Sequence, residues 1–156
     1  LDRTCSRIMK GFIYFLLVAV VYGEVVDIKK CENVSDDKCT INEIRITPCP
    51  NSRTTCRVYK GTDATIAFDF VPHFNTTQLK NRVLWGQVAW PELDEDACKA
   101  TPCPTEAGKQ QTYSNNLRIG KKLPSGYFTF RWEVFDANDE ANMCCLKATV
   151  QIKKKL

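Results

Sequence analysis

Nine cysteines and one histidine are the residues of this 156-residue chain best suited to do chemistry. A catalytic reading needs a nucleophile and a base within reach of each other. The only histidine, His73, lies in Val71-Pro72-His73-Phe74, with no nucleophile elbow, phosphate-cradling glycine loop or zinc-protease motif beside it. Asp94, Glu95 and Asp96 form an acidic run in a stretch with the composition of a loop, where they read as solvated charges without the burial or fixed neighbours that catalytic carboxylates need. No C-x-x-C pair is present, so the usual zinc spacings are missing. The residues therefore argue against an enzyme and call for no metal or cofactor.

What remains for the cysteines is pairing, and that depends on compartment. Phe12 to Tyr22 is an unbroken apolar run of 11 residues preceded by Arg7 and Lys10. A transmembrane helix needs about 20 apolar residues, whereas a signal-peptide core needs roughly 7 to 15. Val21 and Gly23 supply the small residues required before a cleavage point, so residues 1–23 read as upstream residues plus a cleaved signal peptide, with Met9 as the natural initiator. The domain is expected at residues 24–156, and Cys5 drops out of the count. Eight cysteines are left in a chain bound for an oxidising compartment, and they permit about 105 pairings. Asn33-Val34-Ser35 and Asn75-Thr76-Thr77 make Asn33 and Asn75 candidate glycosylation sites.

Charge excludes another class. Without residues 1–23 the chain carries 19 basic and 17 acidic side chains, a net charge of +2. Its one dense basic cluster, Lys153-Lys154-Lys155, reads as a solvated terminus and not as the stripe of a nucleic-acid binder.

The elements that must carry these residues are strands. From Val25 onward apolar residues alternate and β-branched residues are frequent. Ile44 and Ile46 flank Arg45, giving one apolar face. Strands are expected at Val25 to Lys30, Ile41 to Pro48, Thr62 to Val71, Arg82 to Trp90, Gln111 to Ile119, Tyr127 to Phe135 and Cys145 to Lys153. Turn-forming clusters at Pro48 to Ser52, Pro91 to Pro104, Leu123 to Gly126 and Asp136 to Asn142 separate them. About seven short antiparallel strands point to an all-β sandwich, with a small barrel as the alternative. The strands hold many aromatics, among them Phe68, Phe70, Tyr113, Phe130 and Trp132, which either fill the interior or line a cavity within it.

The cysteine frame adds a more specific signal. Cys31 near the start, Pro48-Cys49-Pro50 followed by Cys56, Cys98 followed by Cys103-Pro104, and Cys145 on the last strand resemble the ML-type lipid-recognition family, which includes a lysosomal sterol-transfer protein and the mite group two allergens. Trp90-Pro91, Tyr113 and Trp132-Glu133 also match. The resemblance implies bridges Cys31 to Cys145, Cys49 to Cys56 and Cys98 to Cys103. Cys39 and Cys144 depart from the family pattern and are left for a fourth.

The resemblance further implies an immunoglobulin-like sandwich of about seven antiparallel strands whose sheets part to leave a hydrophobic cavity. Trp90, Ile119 and Leu123 match the pocket-lining positions of the sterol carrier, with Leu123 standing near where an aromatic is usual. Phe68, Phe70, Tyr113, Phe130 and Trp132 are expected to join them. The implied function is a secreted, monomeric carrier of a sterol, fatty acid or similar hydrophobic molecule, acting outside the cell or in the endosomal-lysosomal lumen. Hand-off to a membrane or receptor partner is part of that expectation. The competing class is a protein-interaction or innate-immune lipid-sensing module on the same sandwich.

Overall fold

The computed structural model describes residues 24–49, 55–90 and 92–155. The segment read as a leader, Cys5, Pro50 to Ser52 of the first turn cluster, and Pro91 lie outside them.

Ten strands form among the described residues: β1 (Glu24–Val25), β2 (Lys29–Lys30), β3 (Cys39–Thr47), β4 (Cys56–Tyr59), β5 (Asp63–Pro72), β6 (Leu79–Trp85), β7 (Val88–Ala89), β8 (Gln111–Arg118), β9 (Gly126–Asp136) and β10 (Asp139–Lys153). They make two sheets, one in the order β1-β3-β5-β8 and the other in the order β2-β10-β9-β6-β7, with β4 alongside β10. The two sheets pack face to face as an immunoglobulin-like sandwich. On β5 the alternation is complete: Ala64, Ile66, Phe68 and Phe70 are buried, while Thr65, Ala67 and Asp69 between them are only partly covered. Burying large side chains of this kind stabilises the fold by about 1.5–3 kcal/mol each.

Four differences from the sequence expectation have physical causes. Val25 to Lys30 is not one strand; its two ends pair with different sheets, Val25 opposite Arg45 and Lys30 opposite Leu146, while Val26 between them enters the core. The run Arg82 to Trp90 folds into a hairpin, because Gly86 adopts φ +60 and brings Val88 back opposite Trp85. A bulge between Ile41 and Glu43 shifts the register of β3, so Ile41 packs against the core instead of facing out with Glu43 and Arg45. The strand β4 was not expected, and it pairs parallel to β10, so the sandwich is not wholly antiparallel. Four residues are too few to show a convincing alternation.

Four disulfides tie the frame: Cys31–Cys145, Cys39–Cys144, Cys49–Cys56 and Cys98–Cys103. Cys144 and Cys145 are successive residues of β10 and so point to opposite faces. Cys144 is buried and crosses to Cys39 on the facing sheet, while the less buried Cys145 reaches Cys31 just past β2. Adjacency thus allows two bridges without competition. Cys98 sits in a short 3-10 helix, Ala97–Lys99, capped by the Asp96 carboxylate, which accepts the Cys98 N–H at 3.1 Å. The acidic run around Asp96 therefore serves as loop structure.

Candidate functional site

The inward faces of the two sheets do not meet uniformly. At one end aromatic rings close the gap. Phe68 and Tyr113, opposite each other on β5 and β8, stack with ring centroids 4.7 Å apart, and Trp132 from the other sheet meets Tyr113 edge-on at 5.7 Å. The Tyr113 hydroxyl donates to Asn81 Oδ1 on β6 and accepts from Asn115 Nδ2 at 2.9 Å. Asn81 is itself buried, and its Nδ2 donates to the Asp94 carbonyl at 2.5 Å. This polar contact bridges the sheets, and burial raises the Tyr113 pKa from 10.0 to about 12.

Beyond this plug lies an apolar cavity of about 40 Å³ between the sheets. Ile46, Ile66 and Leu117 line it from one sheet, and Phe130, Ala148 and Val150 from the other. Trp132 forms its wall toward the plug, Trp90 bounds it on the side of the open groove, and Ile119 also lines it. Ile119 follows β8 and is pinned there by two backbone hydrogen bonds, donating to Thr62 at 2.8 Å and accepting from Gly61 at 2.6 Å. Gly61 has φ +76, a conformation that favours glycine, and a Cβ there would also come within 3.2 Å of the Lys121 side chain.

A second, open groove of about 630 Å³ lies outside Trp90. It runs between the β6–β7 hairpin, which supplies Trp85 and Val88, and the loop after β8, which supplies Leu123 and Pro124. β7 and β8 are edge strands of the two sheets, so the groove lies where the sandwich is unsealed. Its rim carries Arg118, Lys121 and Lys122 against Glu92. Trp90 lines both the groove and the inner cavity, and no other described residue does. The Trp90 backbone N–H bonds the Val83 carbonyl at 2.8 Å, and its ring meets Phe130 edge-on.

The eight sequence-selected side chains therefore fall into three places. Trp90, Ile119, Phe130 and Trp132 surround the inner cavity, and Leu123 lies in the outer groove, half-buried. Phe68, Phe70 and Tyr113 line neither space: Phe68 stacks on Tyr113, Phe70 packs at a tilt against Phe68, and the Tyr113 hydroxyl is engaged by Asn81. The residue reading missed the aliphatic lining, including Ile46, Val58 and Val150. Period-two alternation marks Ile46 and Val150 as inward, but inward residues of a closed core carry the same mark.

Elsewhere among the described residues the polar groups of His73 and Glu133 are engaged in structural contacts. His73 is exposed and shares a hydrogen bond at 3.0 Å with the Thr40 hydroxyl. Glu133 is buried on the outer face of its sheet, where it accepts from Arg82 and Arg131 at 2.6 Å each. Arg82 also covers the Phe135 ring. Among the described residues no group of three or more His, Cys, Asp or Glu side chains could hold a metal ion, and no helix is long and apolar enough to cross a membrane.

Comparison with known proteins agrees with this geometry. The MD-2-related lipid-recognition protein of Manduca sexta is 39% identical over 150 residues, covering 91% of this chain and 98% of that protein. The NPC intracellular cholesterol transporter 2 of Mus musculus is 28% identical over 141 residues, covering 87% of this chain and 91% of the other. The crystal structure of a Niemann-Pick type C2 protein from Japanese carpenter ant superposes with a TM-score of 0.67 at 19% identity, over 80% of this chain and all of that one, and so shares the fold. The model of the ML domain matches residues 25–152, and the chain belongs to the ML-domain family.

Proposed function

We propose that this protein binds one hydrophobic lipid between its sheets and carries it through water, as a secreted protein or in the endosomal-lysosomal lumen. The observation that supports this most is the apolar cavity joined, through the single ring of Trp90, to a groove at the unsealed edge of the sandwich. Pockets that enclose a drug-sized ligand are about 300–1,000 Å³. An inner cavity of about 40 Å³ must therefore widen, and Trp90 is the side chain that gives way as a lipid passes inward. Burying roughly 400 Å² of hydrocarbon would contribute on the order of 10 kcal/mol before the cost of association, which leaves about micromolar affinity or better.

The names of the relatives support a lipid ligand, recognised by one and transported as cholesterol by the other. Four disulfides suit an oxidising compartment. Glycosylation at Asn33 and Asn75 belongs to the same proposal, and both residues are exposed. So does a monomeric carrier that delivers its ligand to a membrane or receptor. Native mass spectrometry of protein secreted from eukaryotic cells tests the reading. A one-to-one complex with a co-purified sterol or fatty acid is expected, and protein that neither retains lipid nor takes it up when offered would refute it.

A further inference from the structure

The end of the sandwich opposite the Trp90 groove holds one of the two sequons in a fixed setting. The loop between β5 and β6 contains Asn75-Thr76-Thr77, and its middle residue is buried. Thr76 exchanges backbone hydrogen bonds with Thr105, donating at 3.3 Å and accepting at 2.9 Å, and its hydroxyl donates to Asp136 Oδ1 at 2.9 Å. Asn75 itself is exposed, and its Oδ1 accepts the Ala107 N–H at 2.8 Å. That bond orients the carboxamide. Among the described residues its Nδ2, the atom to which an N-linked sugar is joined, has no hydrogen-bond partner.

Asn75 borders an open hollow of about 460 Å³. Thr77, Glu106 and Asn138 furnish it with hydroxyl, carboxylate and amide groups, and Pro104 adds an apolar ring. Clefts of about 300–1,000 Å³ take small organic ligands, so one or two sugar rings fit. A sugar linked to Asn75 is tethered beside these groups at an effective concentration of roughly millimolar, and contacts too weak to hold a free sugar then suffice. The other sequon is set differently. Asn33 stands at φ 63 in the loop after β2 and lies outside the hollow that its neighbours Val34 and Ser35 line.

We infer that Asn75 carries an N-linked glycan whose innermost sugars lie in this hollow and clasp the loops that form it: the β5–β6 loop, the segment after Cys103 and the β9–β10 turn. The inference rests on the secreted reading and deepens it, by giving one sequon a structural role. The bond joins Asn75 Nδ2 to the anomeric carbon of the first N-acetylglucosamine. Nδ2 gives up one proton, and the pyrophosphate of the lipid-linked oligosaccharide donor departs. Strand β9 runs 11 residues, roughly 33 Å, from the Gly126 end near the groove to Asp136 at the hollow, so the glycan leaves the lipid entrance clear.

The test uses protein secreted from eukaryotic cells cultured with a mannosidase inhibitor, which keeps the glycans open to an endoglycosidase that cuts between the first two sugars. Peptide mapping should find Asn75 occupied. Its glycan should be cut roughly tenfold more slowly in the native protein than in the denatured one, because cutting waits for the hollow to release the sugars. A glycan on Asn33 should be cut at similar rates in both. Thr77→Val abolishes the sequon but keeps Asn75 and its bond to Ala107, and it should lower the melting temperature by about 3 °C with lipid affinity unchanged. An unoccupied Asn75, equal cutting of native and denatured protein, or an unchanged melting temperature in Thr77→Val would overturn the inference while leaving the carrier reading intact. Failure of the glycosylated protein to bind any lipid offered would overturn the carrier reading and leave the glycan standing. Retention of the chain in the cytosol would overturn the secreted reading on which both depend.

Discussion

Trp90 and Phe130 meet edge to face, ring centroids 5.6 Å apart and planes inclined at 75°, where the apolar interior adjoins the outer groove. Phe130 belongs to the central strand of its sheet and is fixed by pairing on both sides. Trp90 follows a two-residue edge strand and has no such support beyond one backbone hydrogen bond. Of the two rings, Trp90 is the one less constrained by strand pairing. Trp90→Ala should therefore speed the association of a fluorescent fatty acid severalfold in stopped-flow measurements, by removing the obstruction. Unchanged association kinetics would show that lipid enters elsewhere.

Ile119 and Leu123, four residues apart, should respond differently to the same change. Ile119 is 4% exposed and part of the core, so Ile119→Asp should destabilise the fold by about 3 kcal/mol or more. Leu123 is half-buried in the loop beside the groove, so Leu123→Asp should leave the melting temperature within a few degrees and weaken lipid binding at least tenfold. Thermal unfolding and lipid titration on both variants check this, and equal loss of stability in the two would place Leu123 in the core.

The fold was legible in the sequence wherever alternation ran long enough. Strands β5 and β8 read correctly because each alternates over eight residues or more and faces a single core, and β9 because its sequence alternates from Tyr127 to Val134 although its last five residues are all buried. Legibility failed where a backbone event broke the period: the bulge beyond Ile41, the turn at Gly86 and the crossing at Val26. The site was harder to read. Phe68 and Phe130 both alternate inward from strands, yet one is locked in a stack and the other borders a cavity. That distinction depends on how far apart the two sheets stand, which no single strand encodes.

The bridge between Cys39 and Cys144 closes a separation of 105 residues and joins the two sheets. Replacing both cysteines with alanine should lower stability by about 2–5 kcal/mol, with the other three bridges intact in an unreduced peptide map. Chemical denaturation measures the loss. A change of less than about 0.5 kcal/mol would mean that the sheets are held together without it.

Tyr113 should set an alkaline limit on stability. Its pKa is about 12 in the folded protein, where burial disfavours the phenolate, against 10.0 when unfolded. The unfolded chain therefore releases this proton first, and the Tyr113 contribution to stability, complete below pH 10, is lost as pH rises from there to about 12. Tyr113→Phe should remove that component of the pH dependence. It should also cost about 1–3 kcal/mol at neutral pH, because Asn81 loses its buried partner. Identical alkaline unfolding profiles for the two proteins would assign the limit to another group.

The central claim is that the space between the sheets holds one lipid, and displacement of a fluorescent fatty acid by unlabelled fatty acid and by sterol, with the stoichiometry fixed by native mass spectrometry, tests it most directly. The account predicts one ligand per chain, displacement at micromolar concentration or below by at least one of the two classes, and weakened binding in Leu123→Asp. Absence of binding by both classes to a folded, fully disulfide-bonded protein would contradict it.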